Sequence, residues 1–157
     1  MADNKFAVMI EIRKGKLSDS DCIVELQLQM ARETEGLQLD RKVVSTGVCG
    51  VFEEPARGTY WIAEEKGKVL GVLLAIPEWS DWRNGTVLWI HSLYIIPKAR
   101  GQGVFKQLYM SLKEQVEQSP ELIGLRLYVD KRNKSAQEVY EKLGMSKEHY
   151  DLYEWLK

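Results

Sequence analysis

The sequence is poor in the residues that mark several specialised classes of protein. It has only two cysteines, Cys22 and Cys49, and they form no C-x-x-C pair. A disulfide framework or a zinc cluster is therefore not expected, and both thiols fall in helix-like patterns that predict buried, free side chains. No segment approaches the roughly 20 apolar residues of a membrane-spanning helix. The first 15 residues also lack the apolar core of a signal peptide, so a reducing cytoplasm is the expected location.

Charge of one sign is not in excess either. The 157 residues include 22 Lys and Arg against 23 Asp and Glu, for a net charge of −1. This balance gives no reason to expect binding to nucleic acid or to an acidic membrane. The length suits one domain, 1–157, with a single core. We find no internal repeat, linker or low-complexity segment.

Apolar periodicity predicts a chain in which strands and helices alternate. A hairpin is expected around the turn-like residues 65–68, and polar or aromatic breaks are expected at 33–40 and 79–85. The pattern is typical of a mixed α/β sheet. The predicted strands are 6–13, 59–64, 69–77, 86–96, 122–129 and one or two within 146–156, and the predicted helices are 18–30, 41–52, 104–116 and 133–143.

Two glycines, Gly101 and Gly103, stand between a predicted central strand and a predicted helix. They allow a tight turn, or they let a ligand approach the backbone closely. A helix start carries unpaired N–H groups and partial positive charge, so a glycine turn there suits an anion such as a phosphate. Lys98, Arg100 and Lys106 add positive charge around it. The turn lacks the G-K-[ST] ending of a Walker loop and the third glycine of a dinucleotide fingerprint.

Three stretches resemble motifs of the GNAT superfamily of acetyltransferases. Arg100-Gly-Gln-Gly-Val-Phe105 resembles the signature R/Q-x-x-G-x-G/A, with Phe105 at the usual small residue. Leu93-Tyr-Ile-Ile-Pro97 resembles the end of the family's fourth strand. Leu127-Tyr-Val-Asp-Lys-Arg-Asn133, with residues 136–145, resembles its second cofactor motif. The order of elements also matches over nearly the whole chain. The resemblance implies a mostly antiparallel central sheet flanked by helices, and N-acetyl transfer from acetyl-CoA.

The resemblance also implies which residues contact acetyl-CoA. The signature would hold the pyrophosphate, and a splay or bulge after the fourth strand would free backbone groups for the pantetheine arm and the thioester carbonyl. Asn133 would lie near the pantetheine, although a helix cap is an equally good interpretation. The implied contacts are Leu93, Tyr94, Ile95, Arg100, Gly101, Gln102, Gly103, Val104, Phe105, Lys106 and Asn133.

Acetyl transfer to an amine needs a base and an acid. A free alkylamine has a pKa near ~10.4 and must lose a proton before it attacks, and the departing thiolate benefits from a proton donor. His91, two residues before Leu93, is the candidate base; the alternative is a histidine packed among apolar neighbours. Tyr140 matches the family's tyrosine and is the candidate acid; the alternative is a core position on an apolar helical stripe.

Acidic and aromatic residues are the candidates for recognising the acceptor. Glu33 and Glu35 are placed by the sequence between the first two helices, and Trp79, Asp81 and Trp82 on the aromatic loop. Carboxylates and aromatic faces suit a cationic amine, whereas the alternative is a solvated rim. The Ser-Asp-Trp of this loop is similar to the spermidine/spermine N-acetyltransferase branch.

A small primary amine of the polyamine type is thus the expected acceptor, and its identity stays open. A protein or peptide acetyltransferase and a non-catalytic acyl-CoA sensor are the alternatives. No metal is expected. A homodimer through the strand-rich, aromatic C-terminus is a further expectation.

Overall fold

The computed structural model describes residues 9–147 and 150–157. These residues fall into two compact units, one ending at Leu127 and the other beginning at Tyr128. The first unit contains β1 (Glu11–Lys14), α1 (Ser20–Glu35), α2 (Arg41–Glu53), β2 (Thr59–Glu65), β3 (Lys68–Ser80), β4 (Gly85–Ile95), α3 (Val104–Gln118) and β5 (Leu122–Leu127), and the second contains α4 (Lys134–Lys142).

The five strands form one sheet in the order β1-β2-β3-β4-β5. Neighbours from β1 to β4 are antiparallel, whereas β5 runs parallel to β4. A parallel pair needs a long crossover, which α3 supplies. The predicted mixed, mostly antiparallel sheet flanked by helices is confirmed. The core cluster joins α1 and α2 to β2, β3 and β4, and its buried members are Ile23, Val24, Leu26, Leu28, Val48, Tyr60, Ile62, Val72, Leu74 and Tyr94.

Helix α1 is longer than the sequence predicts. It continues to Glu35, so Glu33 and Glu35 lie inside the helix, and their predicted place between two helices is wrong. Glu and Arg are good helix formers, and the polar composition of this stretch reflects exposure rather than a break. The helix ends where Gly36 adopts φ +66°, a left-handed C-cap. Asp40 caps α2 as predicted, accepting from the amides of Lys42 and Val43 at 2.7 and 3.1 Å.

The predicted aromatic loop 79–85 is shorter than expected, because residues 79, 80 and 85 belong to strands. Antiparallel pairing of β3 with β4 continues to Trp79↔Thr86 and Ser80↔Gly85, which leaves only residues 81–84 as the turn. Trp79 is therefore a strand residue because its backbone pairs across the hairpin. The other predicted hairpin, between β2 and β3, is confirmed, with its turn at Lys66 and Gly67.

Both cysteines differ from the prediction of buried thiols. Cys22 is exposed and Cys49 is half-buried. The buried face of α1 is occupied by residues such as Ile23 and Leu26, and Cys22 lies off that face. Membership of an amphipathic helix therefore did not place either thiol in the core.

Of the strands predicted at the two ends of the chain, the N-terminal one is observed in part and the C-terminal one is not observed in residues 150–157. Strand β1 covers Glu11–Lys14, and residues 6–8 of the predicted strand lie outside the described residues. Residues 150–157 form no strand, and Tyr153 is 93% exposed, so the C-terminal strand prediction is wrong for this segment. Its apolar side chains are exposed in the single chain described, and the expected dimer stays a prediction. No described helix has the length and apolar character needed to cross a bilayer.

Candidate active site

Strand β4 contains a bulge near its carboxyl end. Ser92 and Leu93 together lie opposite Leu73 of β3 alone, and Ser92 adopts φ +48°. Such a bulge interrupts the ladder and redirects backbone groups. The resemblance to GNAT enzymes predicted a bulge after this strand; the structure has it inside the strand. The flanking pairs are Val72↔Tyr94 and Leu74↔His91.

Strand β4 also extends beyond its pairing with β5. Their parallel pairing ends at Ile90↔Leu127, whereas β4 continues to Ile95. Within the described residues, positions 92–95 of β4 have no pairing to β5. Unpaired backbone groups at a strand edge are strong hydrogen-bonding partners for an extended ligand.

The glycine turn after β4 has the geometry of an anion site. Gly101 and Gly103 adopt φ +74° and +78°, and a Cβ added to either would meet no atom within 4 Å. The glycines are therefore required by conformation, and the space above them is open. The amides of residues 101–103 make no hydrogen bond to other described residues. Gly103 is also the N-cap of α3, whose first N–H groups have no partner within the helix.

Several side chains lie close to the glycine turn in sequence, and one of them stabilises it by a hydrogen bond. The Gln102 amide donates to the carbonyl of Lys98 at 2.8 Å, which ties the turn together. Lys98 and Lys106 are exposed on either side of it. The ring of Phe105 contacts that of Tyr109, with centroids 6.1 Å apart, so the bulky signature residue packs along α3.

The Arg100 side chain is held by three groups. Its Nε donates to the carbonyl of Ile95 at 2.9 Å, Nη1 lies 2.5 Å from Oε1 of Glu33, and the guanidinium lies 5.4 Å from the ring centroid of Tyr94. The Tyr94 hydroxyl donates to Oε2 of the same Glu33 at 3.0 Å. We call Glu33, Tyr94 and Arg100 the Arg100 cluster. It connects the last turns of α1 to the end of β4 and to the glycine turn.

The electrostatics of this cluster fix its charge state. Hydrogen bonds from Arg100 and, secondarily, from Tyr94 lower the pKa of Glu33, and the desolvation of this exposed group opposes them only partly. Burial, followed by the Glu33 carboxylate, raises the pKa of Tyr94. At neutral pH the cluster therefore holds an ionised carboxylate, an arginine and a neutral phenol.

The two candidate catalytic side chains lie in different units. His91 is half-buried in β4, directly before the bulge, and its ring centroid is 6.3 Å from that of Trp89. Tyr140 is half-buried in α4, and burial raises the pKa of its phenol, which favours the protonated form that can donate. Asn133 caps α4 by accepting from the Ala136 amide at 3.0 Å, so its capping role is confirmed.

The predicted acceptor residues are mostly exposed. Trp79 and Trp82 are 62% and 89% exposed, and Asp81 accepts from the Trp82 amide at 3.0 Å. Glu35 is exposed, whereas Glu33 belongs to the Arg100 cluster. No hydrogen bond, ion pair or ring contact between described residues joins the hairpin turn to the end of α1.

Sequence reasoning missed two side chains at this end of β4. Gln27 is buried in α1, and its amide lies 3.5 Å from the carbonyl of Ser92 in the bulge. A polar residue on the apolar stripe of α1 was the available signal. Tyr94 was assigned only a backbone role, yet its hydroxyl contacts a residue 61 positions away.

Comparison with known proteins identifies the family. The profile of the Acetyltransferase (GNAT) family matches residues 24–145. The chain belongs to the GNAT acetyltransferase family. A crystal structure of a possible acetyltransferase from Clostridium difficile 630 shares 36% identity and superposes with a TM-score of 0.87, covering 95% of this chain and 98% of that one. No curated protein sequence matches the chain.

More distant GNAT structures share the fold. The aminoglycoside N-acetyltransferase AAC(6')-Iy, solved in complex with CoA, has 14% identity, a TM-score of 0.77 and 95% coverage of each chain. A predicted acetyltransferase from Clostridium acetobutylicum, solved with acetyl-CoA, has 21% identity, a TM-score of 0.69 and the same coverage. The present GNAT chain is accordingly an acetyl-CoA-dependent acetyltransferase whose acceptor these comparisons leave undetermined.

Proposed function

We propose that the enzyme transfers the acetyl group of acetyl-CoA to the primary amine of a small cationic molecule. One observation carries the donor half of this proposal. A bulged strand end that extends beyond its pairing with β5 is followed, five residues later, by a glycine turn with open space above it. That order of backbone features suits a ligand with an extended amide arm and a diphosphate.

The donor is proposed to lie along this backbone. The pyrophosphate would accept hydrogen bonds from the amides of residues 101–106, with Lys98 and Lys106 adding charge. The pantetheine amides would pair with Leu93, Tyr94 and Ile95 of β4. The open geometry fits such a group, because a Cβ at Gly101 or Gly103 would project into the same space.

The chemistry needs three proton transfers. His91 would take a proton from the acceptor ammonium, directly or through water, and the amine nitrogen would attack the thioester carbonyl carbon to form the C–N bond. Amides at the β4 bulge would stabilise the oxyanion. The C–S bond then breaks, and Tyr140 would give its proton to the departing thiolate. The product nitrogen would pass its excess proton to the Tyr140 phenolate, which leaves a neutral amide and restores the phenol.

A cationic acceptor is proposed from the charged and aromatic residues of the first unit. Glu35 and Asp81 are exposed carboxylates, and Trp79 and Trp82 present exposed rings. Carboxylates attract a cation, and indole faces add cation–π contact. Glu33 already shares its charge with Arg100, so we assign this attraction to Glu35 and Asp81.

A panel of acceptors tests the proposal. Polyamines come first, because Ser80, Asp81 and Trp82 are similar to the spermidine/spermine branch. Primary monoamines with no second charged group follow, and then a peptide with a free N-terminus and a lysine peptide. CoA release is measured with a thiol reagent and the product by mass spectrometry. Polyamine acetylation with the highest kcat/KM supports the proposal. A preference for either peptide would overturn it and make the enzyme a peptide acetyltransferase.

A further inference from the structure

We propose that Glu33 and Arg100 are positioning residues of the donor site. Arg100 holds the glycine turn in place through Ile95 and Glu33, and it does not itself bind the donor phosphates. This inference rests on the proposed placement of the diphosphate at the glycine turn. It replaces our expectation that Arg100 adds charge to the anion site and that Glu33 recognises the acceptor.

The geometry commits the Arg100 side chain to partners on β4 and α1. The residue is extended, with φ −67° and ψ 150°, and Gly101 follows at once in the left-handed region. Its Nε and Nη1 are used by the Ile95 carbonyl and the Glu33 carboxylate. A move toward a phosphate above the turn would break both contacts and leave the Glu33 carboxylate without its cation.

The charge balance supports the same assignment. Glu33 is ionised, and an ionised carboxylate beside a diphosphate site would repel the donor. Paired with Arg100, it contributes little net charge there. The Tyr94 hydroxyl donates to the second Glu33 oxygen, which orients the carboxylate toward the guanidinium.

The ion pair between Arg100 and Glu33 is exposed enough that removing it should not unfold the protein. The side chains of Arg100 and Glu33 are 43% and 38% exposed, and ion pairs of this exposure contribute about 0–1 kcal/mol to stability. They act on binding through position, because a shift of about 1 Å in a positioned group is costly for a ligand held by fixed amides. Function and stability therefore separate in the test.

Calorimetric titration with CoA tests the proposal. The proteins to compare are wild type, Glu33→Gln, Arg100→Gln, Arg100→Lys and the Glu33→Gln/Arg100→Gln double variant. We expect each glutamine variant to weaken binding by about fivefold and the double variant by about the same factor, because both changes remove one interaction. Arg100→Lys should weaken binding as Arg100→Gln does. One ammonium cannot reproduce the contacts that the guanidinium makes to both the Ile95 carbonyl and the Glu33 carboxylate.

A direct phosphate contact predicts the opposite result for two variants. Glu33→Gln would then tighten CoA binding by freeing Arg100, and Arg100→Lys would retain most of the affinity. Either result overturns the proposal. So does a Glu33→Gln variant that changes only the acceptor KM.

Controls separate these outcomes from general charge effects and from failure of the donor-site proposal. Asp21→Asn and Arg32→Lys alter exposed charges of α1 and should leave the dissociation constant for CoA unchanged. Thermal unfolding of every variant should remain within a few degrees of wild type. If Gly103→Val also leaves CoA affinity unchanged, the placement at the glycine turn is wrong; if it weakens binding while Glu33→Gln does not, only the positioning role fails.

Discussion

The donor end of the first unit and the hairpin turn proposed for the acceptor are held in different ways. The glycine turn is tied to its surroundings by Gln102 and Arg100, which reach Lys98, Ile95 and Glu33. In the turn at residues 81–84, the described contact is the short-range bond from the Trp82 amide to Asp81. A site made of backbone amides works only if its dihedral angles are fixed, whereas a site made of exposed side chains can adapt.

This difference sets where each function is sensitive to substitution. Donor binding should depend on φ and ψ at glycines and on the side chains that hold them. Acceptor choice should depend on the chemistry of a few exposed side chains. Substitutions in each region test this contrast. The largest effects are expected for two catalytic variants, which should change the chemical step rather than the binding of donor or acceptor.

The largest effect is expected for Tyr140→Phe. Loss of a general acid should lower kcat by roughly 100- to 1,000-fold, with the dissociation constant of acetyl-CoA nearly unchanged. Steady-state kinetics and calorimetry measure the two quantities. Tyr153→Phe, which removes an exposed hydroxyl from the same unit, should behave as wild type. An unchanged kcat would remove Tyr140 from the mechanism, and a matching loss of donor affinity would make it a binding residue.

His91→Ala should lower kcat/KM for the acceptor by roughly 100-fold at neutral pH, because the amine must then lose its proton without a base. The other of the two histidines, His149, lies outside the described residues, and His149→Ala is the control. A His91→Ala variant that keeps the wild-type kcat/KM would contradict the role.

Gly103→Val should weaken CoA binding by about 20-fold, because a β-branched residue is strained at φ +78° and its side chain enters the open space above the turn. Gly67→Val is a matched control. Gly67 adopts φ +75° and also has open space around its Cβ position, but it lies in the β2–β3 hairpin. Both variants should lose about 1–2 kcal/mol of stability, and only Gly103→Val should lose affinity. Equal affinities would remove the contrast between the two regions.

Features encoded locally were predictable from the sequence. The two left-handed glycines could be recognised because they separate an apolar run from a helical stripe, and Asp40 could be recognised as a cap. The resemblance to GNAT enzymes added the bulge, although it placed the irregularity after the strand rather than at Ser92 and Leu93. These features depend on neighbours within a few positions.

Features that depend on distant partners were not predictable. Glu33 was interpreted as an acceptor residue because nothing near it in sequence reveals Tyr94 or Arg100. Trp79 was placed in a loop because its pairing with Thr86 is visible only once the hairpin register is known. For Cys22 the helix was predicted, but the exact orientation of its buried face was not. Each of these three errors traces to a tertiary contact that the local sequence does not reveal.

The smallest effect is expected where the molecule is least constrained. Asp81→Asn and Glu35→Gln should each raise the acceptor KM by about threefold for a polyamine, because exposed charges contribute at most about 1 kcal/mol and are screened by salt. The donor KM and the KM for a monoamine with no second charged group should not change. The effect on the polyamine KM should shrink as salt is added. Glu117→Gln on α3 serves as an exposed-carboxylate control. If neither variant changes the polyamine KM at low salt, carboxylates at these two positions do not recognise the acceptor. If either variant changes the donor KM instead, the two regions are coupled, and the separation between a fixed donor end and an adaptable acceptor side no longer holds.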